Sequence, residues 1–326
     1  MKVCLLAYKK ISSSKKYYLN LVDELKKRFD NVLLASIENV VLKVDSTGLT
    51  KIFYKNQKLD DFDVIVPRIG PSYVNFWQLV HQELKENTYI PNTPDSYKIA
   101  NNKFLTLMKL NEANIPIPKT ILSIDIELAK KKLNEIGEPL IIKQMRGSGG
   151  RGVIFSQDLK SANTILDALP HKSGEEIFLE EYIPNPGEDI RLFVVGDEVV
   201  ACAKRVAKKE DIRSNIHAGG AYENYTPSGE MKRLALRAAK KIGADICGVD
   251  IIEGPDGPLV IEVNMNPGFA ISDVTGINIA KRISDFIYAE ANLFWKRKRN
   301  KLLYDKLSIK WENVVNNIIR KFNFEK

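Results

Sequence analysis

The sequence contains few cysteines and few histidines, three of each in 326 residues. Cys4, Cys202 and Cys247 stand singly in apolar stretches, with neither a CxxC pair nor the ligand spacing of a zinc site. Isolated thiols of this kind are typical of buried side chains in a reducing compartment. The spacing therefore excludes a disulfide-rich scaffold and a zinc finger.

Long apolar runs are also missing. No stretch of about eighteen apolar residues occurs, and the apolar start at Met1–Ala7 is too short for a secretion signal. We therefore expect a cytoplasmic protein without a transmembrane segment. Hydrophobic residues make up 44% of the chain and charged residues 28%, which is ordinary for a protein that buries a core.

The net charge of +8 is concentrated at the carboxyl end. Residues 296–326 hold ten Lys or Arg and three Asp or Glu, a net charge of +7, so the first 295 residues carry about +1. The basic excess belongs to a tail and not to a fold that wraps nucleic acid. We expect this tail to contact the protein's own body, a second subunit of a homo-oligomer, or an acidic surface. Its apolar residues recur at helical spacing, at Leu303, Leu307, Trp311, Val314, Ile318 and Phe322.

Alternating strand and helix patterns predict an α/β (α+β) fold with three units and the tail. Residues 1–93 read as a small α/β domain whose first strand lacks a glycine fingerprint. Residues 94–187 begin with one helix, capped by Thr93, started by Pro94 and running to about Asn111, and contain a glycine-rich loop. Residues 188–295 contain the last strands, and residues 296–326 form a basic amphipathic helical tail.

One predicted hairpin near the carboxyl end carries three oxygen-bearing side chains. A turn centred on Asp256 joins two apolar strands and sets Asp250 opposite Glu262. Asn264 shares the face of Glu262 because side chains alternate along a strand. Two carboxylates and an amide suit Mg²⁺, so we interpret Asp250, Glu262 and Asn264 as a metal site. The alternative is that the two carboxylates lie at the solvent-exposed ends of the two strands and bind no metal.

A glycine-rich loop follows the apolar strand that contains Lys143. Its glycines match GxGxxG, but a strand-like stretch at 153–155 follows, whereas a dinucleotide fold needs a helix there. We interpret the loop as a hairpin tip that closes over phosphates with its backbone N–H groups, the alternative being a flexible hairpin. No P-loop motif occurs. The candidate phosphate-binding residues are Lys143, Arg146, Gly147, Ser148, Gly149, Gly150, Arg151 and Gly152.

Cations and amide donors recur between residues 189 and 220. Because guanidinium groups make bidentate contacts with phosphate and carboxylate, Arg191, Arg205 and Arg213 are candidates to hold an acyl phosphate or an acidic substrate. Lys204 lies next to Arg205 and is grouped with these cations as catalytic. In the first domain, Arg68 ends an apolar strand, where it either binds a substrate carboxylate or lies at the surface.

The apolar stretch before residue 184 offers a surface for an adenine ring, whose edge the backbone of Glu180, Glu181, Tyr182 and Ile183 would contact. A plain interdomain strand is the alternative. Lys103 lies on a helix, where a lysine is usually solvated. His217 lies among polar residues and glycines, and its residue type alone does not assign it a direct role.

Taken in chain order, these stretches resemble the ATP-grasp superfamily and, within it, the RimK-type α-L-glutamate ligases. The resemblance extends over about residues 1–290 and rests on the Lys143 strand with its loop, the 180–183 and 189–191 stretches, and the Asp250 hairpin. Two features differ from the group: Lys204-Arg205 stands where an arginine pair is more usual, and the basic tail is longer.

The resemblance implies an ATP-grasp fold in which two antiparallel sheets clamp ATP. It assigns Mg²⁺, as two ions or as Mn²⁺, to Asp250, Glu262 and Asn264. It assigns ATP to Lys103, Lys143, Glu180 to Ile183, Asp189, Arg191, Arg213 and Asn215. The candidate substrate-binding residues are Arg68, Asn215, His217, Gly219 and Asn266.

The implied activity is that of an ATP-dependent carboxylate–amine ligase that forms ADP. An acyl phosphate would form on an acidic acceptor, such as a protein tail, and the amino group of glutamate or a similar amino acid would attack it. The acceptor could instead be an amino-group carrier protein of lysine or arginine biosynthesis, or a coenzyme such as a deazaflavin or a pterin. A nucleotide-binding module without chemistry and an oxidoreductase are the remaining alternatives.

Overall fold

The structure is a computed structural model. It describes residues 1–8, 15–46, 50–84, 86–144, 153–170, 174–184, 187–206 and 221–323. Helices and mostly antiparallel sheets alternate along these residues, which confirms the predicted α+β class.

The amino-terminal part contains a parallel three-stranded sheet, in the order β2-β1-β6, and a small antiparallel sheet, in the order β3-β4-β5. Apolar residues of α1 recur every three or four positions and pack on the parallel sheet. The elements are β1 (Lys2–Ala7), α1 (Lys15–Lys26), β2 (Asn31–Ser36), β3 (Val40–Val44), β4 (Thr50–Tyr54), β5 (Gln57–Lys58), β6 (Val64–Arg68) and α2 (Val74–Leu84).

Two helices occupy the stretch for which the sequence predicts one. α3 (Pro94–Asn101) and α4 (Lys103–Glu112) meet at Asn102, whose backbone is extended. The Asn102 side chain accepts a hydrogen bond from the backbone N–H of Leu105 at 2.9 Å. Asn102 therefore ends α3 and caps α4, which places Lys103 in the first turn of a new helix.

The central part folds into a four-stranded antiparallel sheet in the order β7-β10-β8-β9. Three helices cover one face of this sheet and bury a core that includes Leu133, Leu140, Leu166 and Leu179. The elements are β7 (Thr120–Ser123), α5 (Ile126–Lys131), α6 (Leu133–Ile136), β8 (Leu140–Gln144), β9 (Val153–Ser156), α7 (Leu159–Ala168) and β10 (Ile177–Glu181).

A five-stranded antiparallel sheet in the order β13-β12-β11-β14-β15 follows. The helix α8 begins at a Ser228 cap and buries its apolar side against one face of the sheet. The elements are β11 (Glu188–Val195), β12 (Glu198–Val206), β13 (Ala221–Asn224), α8 (Gly229–Ile242), β14 (Ile246–Gly254), β15 (Gly257–Asn264), α9 (Ile271–Thr275) and α10 (Ile279–Asn323).

The last helix, α10, is continuous over 45 residues and passes through the predicted boundary at residue 295. Its buried side lies against α1, and Arg28, two residues after the end of α1, pairs with Asp285 at 2.7 Å. Further along, Trp295 and Lys298 donate hydrogen bonds to backbone carbonyls of the amino-terminal part. Leu302 and Leu303 are more than half exposed. The helix thus contacts the protein's own body as far as Lys298, and the partner of the remaining tail stays a prediction.

Candidate active site

Charged side chains line one face of the five-stranded sheet. Asp189 on β11 pairs in register with Arg205 on β12, and Arg191 on β11 pairs with Asp250 on β14. Asp250 is in turn the register partner of Glu262 on β15. Because directly paired residues project to the same face, the five side chains form one array across four strands.

The predicted pairing of Asp250 with Glu262 is confirmed, but the turn and the register between these residues and the hairpin tip differ from the prediction. The turn is tighter than predicted, since Gly254 pairs with Gly257 across a two-residue loop. A register shift between Asp250 and Ile251 then restores the pairing, with Ile261 as the extra residue of β15. The bulge leaves Ile261 partly exposed.

The centre of the array is a buried ion-pair network. Asp250 is only 1% exposed and accepts two hydrogen bonds from Arg191, through Nε and Nη2, each at 2.7 Å. Arg205 donates a third from Nη2 at 2.7 Å, and its Nε and Nη2 also bind the Asp189 carboxylate. Two cations and two anions thus compensate one another out of water, which buried charges require.

The network fixes the charge of Asp250. Burial by itself raises the pKa of this carboxyl, but the adjacent guanidinium groups of Arg191 and Arg205 outweigh burial and hold the pKa below its usual value. Asp250 therefore stays ionised at neutral pH. Burial lowers the pKa of both arginines, but the carboxylate charges outweigh it: Asp250 raises the pKa of Arg191, and Asp250 and Asp189 raise the pKa of Arg205.

A glycine allows Arg191 to reach Asp250. Arg191 crosses the position where a side chain of Gly248 would lie: a Cβ there would be 3.4 Å from Arg191 Cδ and 3.0 Å from Pro267 Cβ. Gly248 also pairs with Asn264 on β15, so it lies directly beside the predicted metal ligands. A larger residue would push the arginine or the loop away.

The donor set fits a hard cation. Glu262 is partly exposed and, among the described residues, forms no ion pair. A carboxylate offers about four lone-pair sites, and the arginines use three on Asp250, which leaves one for a metal. The Asn264 Oδ1 accepts a hydrogen bond from the backbone N–H of Asn266 at 2.9 Å, which orients it. No group of three His, Cys, Asp or Glu side chains is close enough to hold a metal in the described part of the chain.

Two of the predicted nucleotide residues, Lys143 and Glu180, come together on the four-stranded sheet. Lys143 on β8 forms an ion pair with Glu180 on β10, and its Nζ lies 5.3 Å from the ring centroid of Phe178. The partner that a charge in an apolar strand needs is therefore Glu180. Phe104, next to Lys103 at the start of α4, packs edge-on against the Phe178 ring. The first turn of α4 thus lies beside the Lys143 strand.

The remaining residues of the 180–183 stretch make contacts with neighbouring elements. The Glu181 carboxylate accepts a hydrogen bond from the backbone N–H of Lys119 at 2.7 Å. The Tyr182 ring packs edge-on against Phe155 of β9. Ile183 lies against Gly254 at the tip of the β14–β15 hairpin, so the end of the nucleotide stretch contacts the hairpin that contains Asp250.

The structure separates Lys204 from Arg205. The two are neighbours on a strand and point to opposite faces of the sheet. Lys204 Nζ pairs with Glu188 at 2.7 Å and lies 5.6 Å from the Tyr225 ring centroid, away from the Asp250 network. The predicted grouping of Lys204 with the catalytic cations is therefore not supported by its position.

Two predicted substrate residues lie where the amino-terminal part meets the end of β15. Arg68 is buried, not exposed at the surface, and donates a hydrogen bond from Nη2 to the Pro267 carbonyl at 2.8 Å. Asn266 donates from Nδ2 to the Ile69 carbonyl at 2.5 Å, and its Oδ1 lies 3.4 Å from the Tyr97 hydroxyl. The Asn266 amide is thus used to join two parts of the chain, a contact role that its residue type did not reveal.

Several predicted residues lie outside the described part of the chain. They are Arg146, Gly147, Ser148, Gly149, Gly150, Arg151, Gly152, Arg213, Asn215, His217 and Gly219. Their assignments stay predictions. Within the described residues, none of the helices is both long enough and apolar enough to cross a membrane.

Comparison with known proteins identifies related chains. Residues 100–287 match the RimK-like ATP-grasp domain, and residues 1–96 match the RimK PreATP-grasp domain. A probable alpha-L-glutamate ligase from Haemophilus influenzae is 36% identical over 253 residues, covering 75% of this chain and 83% of the relative. A probable alpha-L-glutamate ligase from Vibrio vulnificus is 35% identical over 246 residues, covering 74% of this chain and 81% of the relative.

Solved structures share the fold. The RimK domain ATP-grasp protein from Sphaerobacter thermophilus superposes with a TM-score of 0.66 at 22% identity, covering 88% of this chain and 99% of that one. The ATP-grasp ligase PsnB, complexed with minimal precursor, Mg and ADP, has a TM-score of 0.66 at 18% identity, covering 89% of this chain and 97% of that one.

The two antiparallel sheets, together with the match to the RimK-like ATP-grasp domain, define an ATP-grasp protein, as the sequence predicts. Such proteins use ATP with Mg²⁺. The chain belongs to the RimK-like ATP-grasp family and is an ATP-dependent, ADP-forming ligase.

Proposed function

We propose that this ligase joins the amino group of L-glutamate, or of a similar amino acid, to a carboxylate on an acidic acceptor. The observation that carries the proposal is the buried Arg191–Asp250–Arg205 network beside Glu262. This arrangement keeps one carboxylate ionised next to a second, partly exposed one, as a cation that binds phosphate requires. The names of the curated relatives support glutamate as the amino acid.

The reaction divides into two steps. The γ-phosphoryl group of ATP passes to the acceptor carboxylate, which gives ADP and an acyl phosphate. The amino group then attacks the acyl carbon, an amide bond forms, and phosphate leaves together with the amine proton. When bound by Asp250, Glu262 and Asn264, Mg²⁺, as two ions or replaced by Mn²⁺, supplies positive charge to the phosphate oxygens.

The chain's own residues orient and neutralise the reactants. Arg205 is held by two carboxylates, Asp189 and Asp250, and Arg191 is held by Asp250, so we expect their remaining N–H donors to be preorganised toward developing negative charge. Lys143 is held by Glu180 and can exchange this partner for a phosphate oxygen of ATP. Arg213 and the glycine-rich loop are proposed to complete the phosphate site and to exclude water, which hydrolyses acyl phosphates.

The acceptor is proposed to be a protein carboxyl terminus or a small molecule with a glutamyl tail. An amino-group carrier protein and a deazaflavin or pterin coenzyme share the same acidic chemistry and stay as alternatives. The tail beyond Lys298 is proposed to contact a second subunit or an acidic partner, because Arg299 and Lys301 are exposed beyond the contact that Lys298 makes with the body.

An assay of ADP release tests the proposal. The chain is supplied with ATP, Mg²⁺ and L-glutamate while acceptors are varied, and the product is identified by mass spectrometry. We expect ADP release that requires both glutamate and one acceptor, with a product heavier than the acceptor by one or more glutamyl groups. Release of ADP that is independent of any amino acid, or a product without an added residue, would contradict it. Glu188→Gln, on the opposite sheet face, serves as the control variant.

A further inference from the structure

Arg68 is a buried cation with unused donors. It is the last residue of β6, is only 5% exposed, and donates from Nη2 to the Pro267 carbonyl. Its Nε and Nη1 are buried and have no hydrogen-bond partner in the described part of the chain. Buried polar groups in folded proteins are almost always paired, so two unused donors on one guanidinium indicate a missing partner.

The described residues around Arg68 supply no counter-charge. The guanidinium carbon lies 5.0 Å from the ring centroid of Phe269 and 5.8 Å from that of Tyr18, at cation–π distance. No Asp or Glu among the described residues forms an ion pair with it. A cavity borders Arg68, and its other lining residues are neutral, among them Leu21, Pro91, Asn92, Ile246 and Ile283. An aromatic face does not balance a full buried charge, which favours an anion as the missing partner.

Contacts connect Arg68 to the segment that follows β15, the strand that carries Glu262 and Asn264. Pro267, which accepts from Arg68, lies beside Gly248, where an added Cβ would be 3.0 Å from Pro267 Cβ, and Gly248 is the register partner of Asn264. Asn266 forms hydrogen bonds with both sides of this junction, with Ile69 next to Arg68 and with Asn264. Arg68 is thus tied to the end of β15 through Pro267 and Asn266.

We propose that Arg68 binds the α-carboxylate of the amino acid whose amino group is joined to the acceptor. The inference rests on the proposed function and specifies one substrate contact of that site. The α-carboxylate is not consumed in the reaction and carries a full charge into the site, so it needs a cation that does not serve phosphate. Arg68 is such a cation, whereas the N–H donors that Asp250 and Asp189 leave free on Arg191 and Arg205 are proposed to face the phosphate.

Kinetics of the full chain test the proposal. With Arg68→Gln we expect the KM for L-glutamate to rise about 10- to 100-fold, the range for loss of a charge-assisted hydrogen bond, and the KM for ATP to change less than about twofold. Arg68→Lys keeps the charge and should raise the KM for L-glutamate less than Arg68→Gln does. Arg237→Gln is the matched control, because Arg237 also donates to backbone carbonyls, those of Ala113 and Asn114, away from the site. A folded Arg68→Gln variant with an unchanged KM for glutamate overturns the proposal.

A substrate change tests the same contact without relying on a variant that folds. In the wild-type chain, L-glutamate α-amide should show a KM raised by a factor similar to that of Arg68→Gln, and equal KM values for the two substrates overturn the proposal. If the chain shows no glutamate-dependent ADP release, the proposed function fails. Thermal melting then tests separately whether a carboxylate binds at Arg68. Glutamate should raise the melting temperature of the wild type more than chloride at equal ionic strength, and equal shifts overturn the site.

Discussion

Removing the charge of Asp250 is expected to destabilise the five-stranded sheet strongly. Asp250→Asn keeps the shape of the side chain but leaves Arg191 and Arg205 with Asp189 as their only buried counter-ion in the described network. The variant therefore retains two buried cations against one anion. An uncompensated buried charge is far more costly than a lost surface pair.

The magnitude follows from the geometry. The Asp250 carboxylate accepts three hydrogen bonds at 2.7 Å from two guanidinium groups. For unit charges about 4 Å apart at an effective dielectric constant of about 20, one pair is worth roughly 4 kcal/mol. Breaking a buried pair from one side typically costs about 3–5 kcal/mol. We expect a loss of free energy of unfolding in that range.

Chemical denaturation monitored by circular dichroism measures the loss. Glu188→Gln is the control, because it removes one partner of the Lys204–Glu188 pair on the opposite face of the same sheet, where both side chains are about a quarter exposed. That variant should cost less than about 1 kcal/mol. If Asp250→Asn costs no more than Glu188→Gln, the buried network does not stabilise the sheet as argued.

The same pair of variants predicts a pH dependence. The pKa of Asp250 is lowered in the folded chain, so its contribution to stability is present above the unfolded pKa of about 3.9 and is lost as the pH falls through the lower folded value. The difference in stability between wild type and Asp250→Asn should therefore stay constant from pH 7 to about pH 5 and shrink below about pH 4. A difference that grows on acidification would contradict the assigned charge state.

Further changes have separate expected outcomes. Glu262→Gln should reduce Mg²⁺-dependent turnover by about 100-fold or more while leaving the denaturation midpoint unchanged, since Glu262 is partly exposed and outside the ion-pair network; wild-type turnover would refute its role. Gly248→Ala should cost about 1–3 kcal/mol and lower turnover, because its Cβ would lie 3.0 Å from Pro267, and an unchanged melting curve would show that the loop adapts. Burial raises the pKa of the Cys202 thiol to about 12, so thiol labelling at pH 8 should modify it only after unfolding; rapid labelling of the native chain would refute its burial.

The Asp250 hairpin shows how far sequence reasoning reached. Strand alternation and a turn near Asp256 were sufficient to place Asp250 opposite Glu262, and the structure has this pairing. The two-residue turn and the bulge at Ile261 were not predictable, because each alone shifts the register by one residue and only together do they restore it.

The charged residues of the site were identifiable by type, and their pairing was not. Arg191 and Arg205 were candidates for an anionic substrate, whereas in the structure they bind Asp250 and Asp189, which are distant along the chain. The position of Lys204 was within reach of the sequence, since two neighbours on a strand must point to opposite faces. The burial of Arg68 depends on how two parts of the chain pack, which no local pattern contains.

The helices show a similar limit. The proline-started helix after Thr93 was predicted as one element, and the extended backbone at Asn102 divides it because the Asn102 side chain caps the second helix. At the other end, composition suggested a separate tail after Trp295, yet helical periodicity continues and the backbone follows it as one helix. A change in charge therefore did not mark a change in secondary structure.

One face of the five-stranded sheet is expected to hold the divalent cation that binds the phosphates of ATP. Calorimetric binding of a non-hydrolysable ATP analogue, with Mg²⁺ and with a chelator, measures this in wild type, Glu262→Ala and Glu188→Gln. We predict that Mg²⁺ tightens binding by about tenfold or more in the wild type and in Glu188→Gln, and that Glu262→Ala loses this gain. An equal gain from Mg²⁺ in Glu262→Ala would contradict the assignment of the cation to this face.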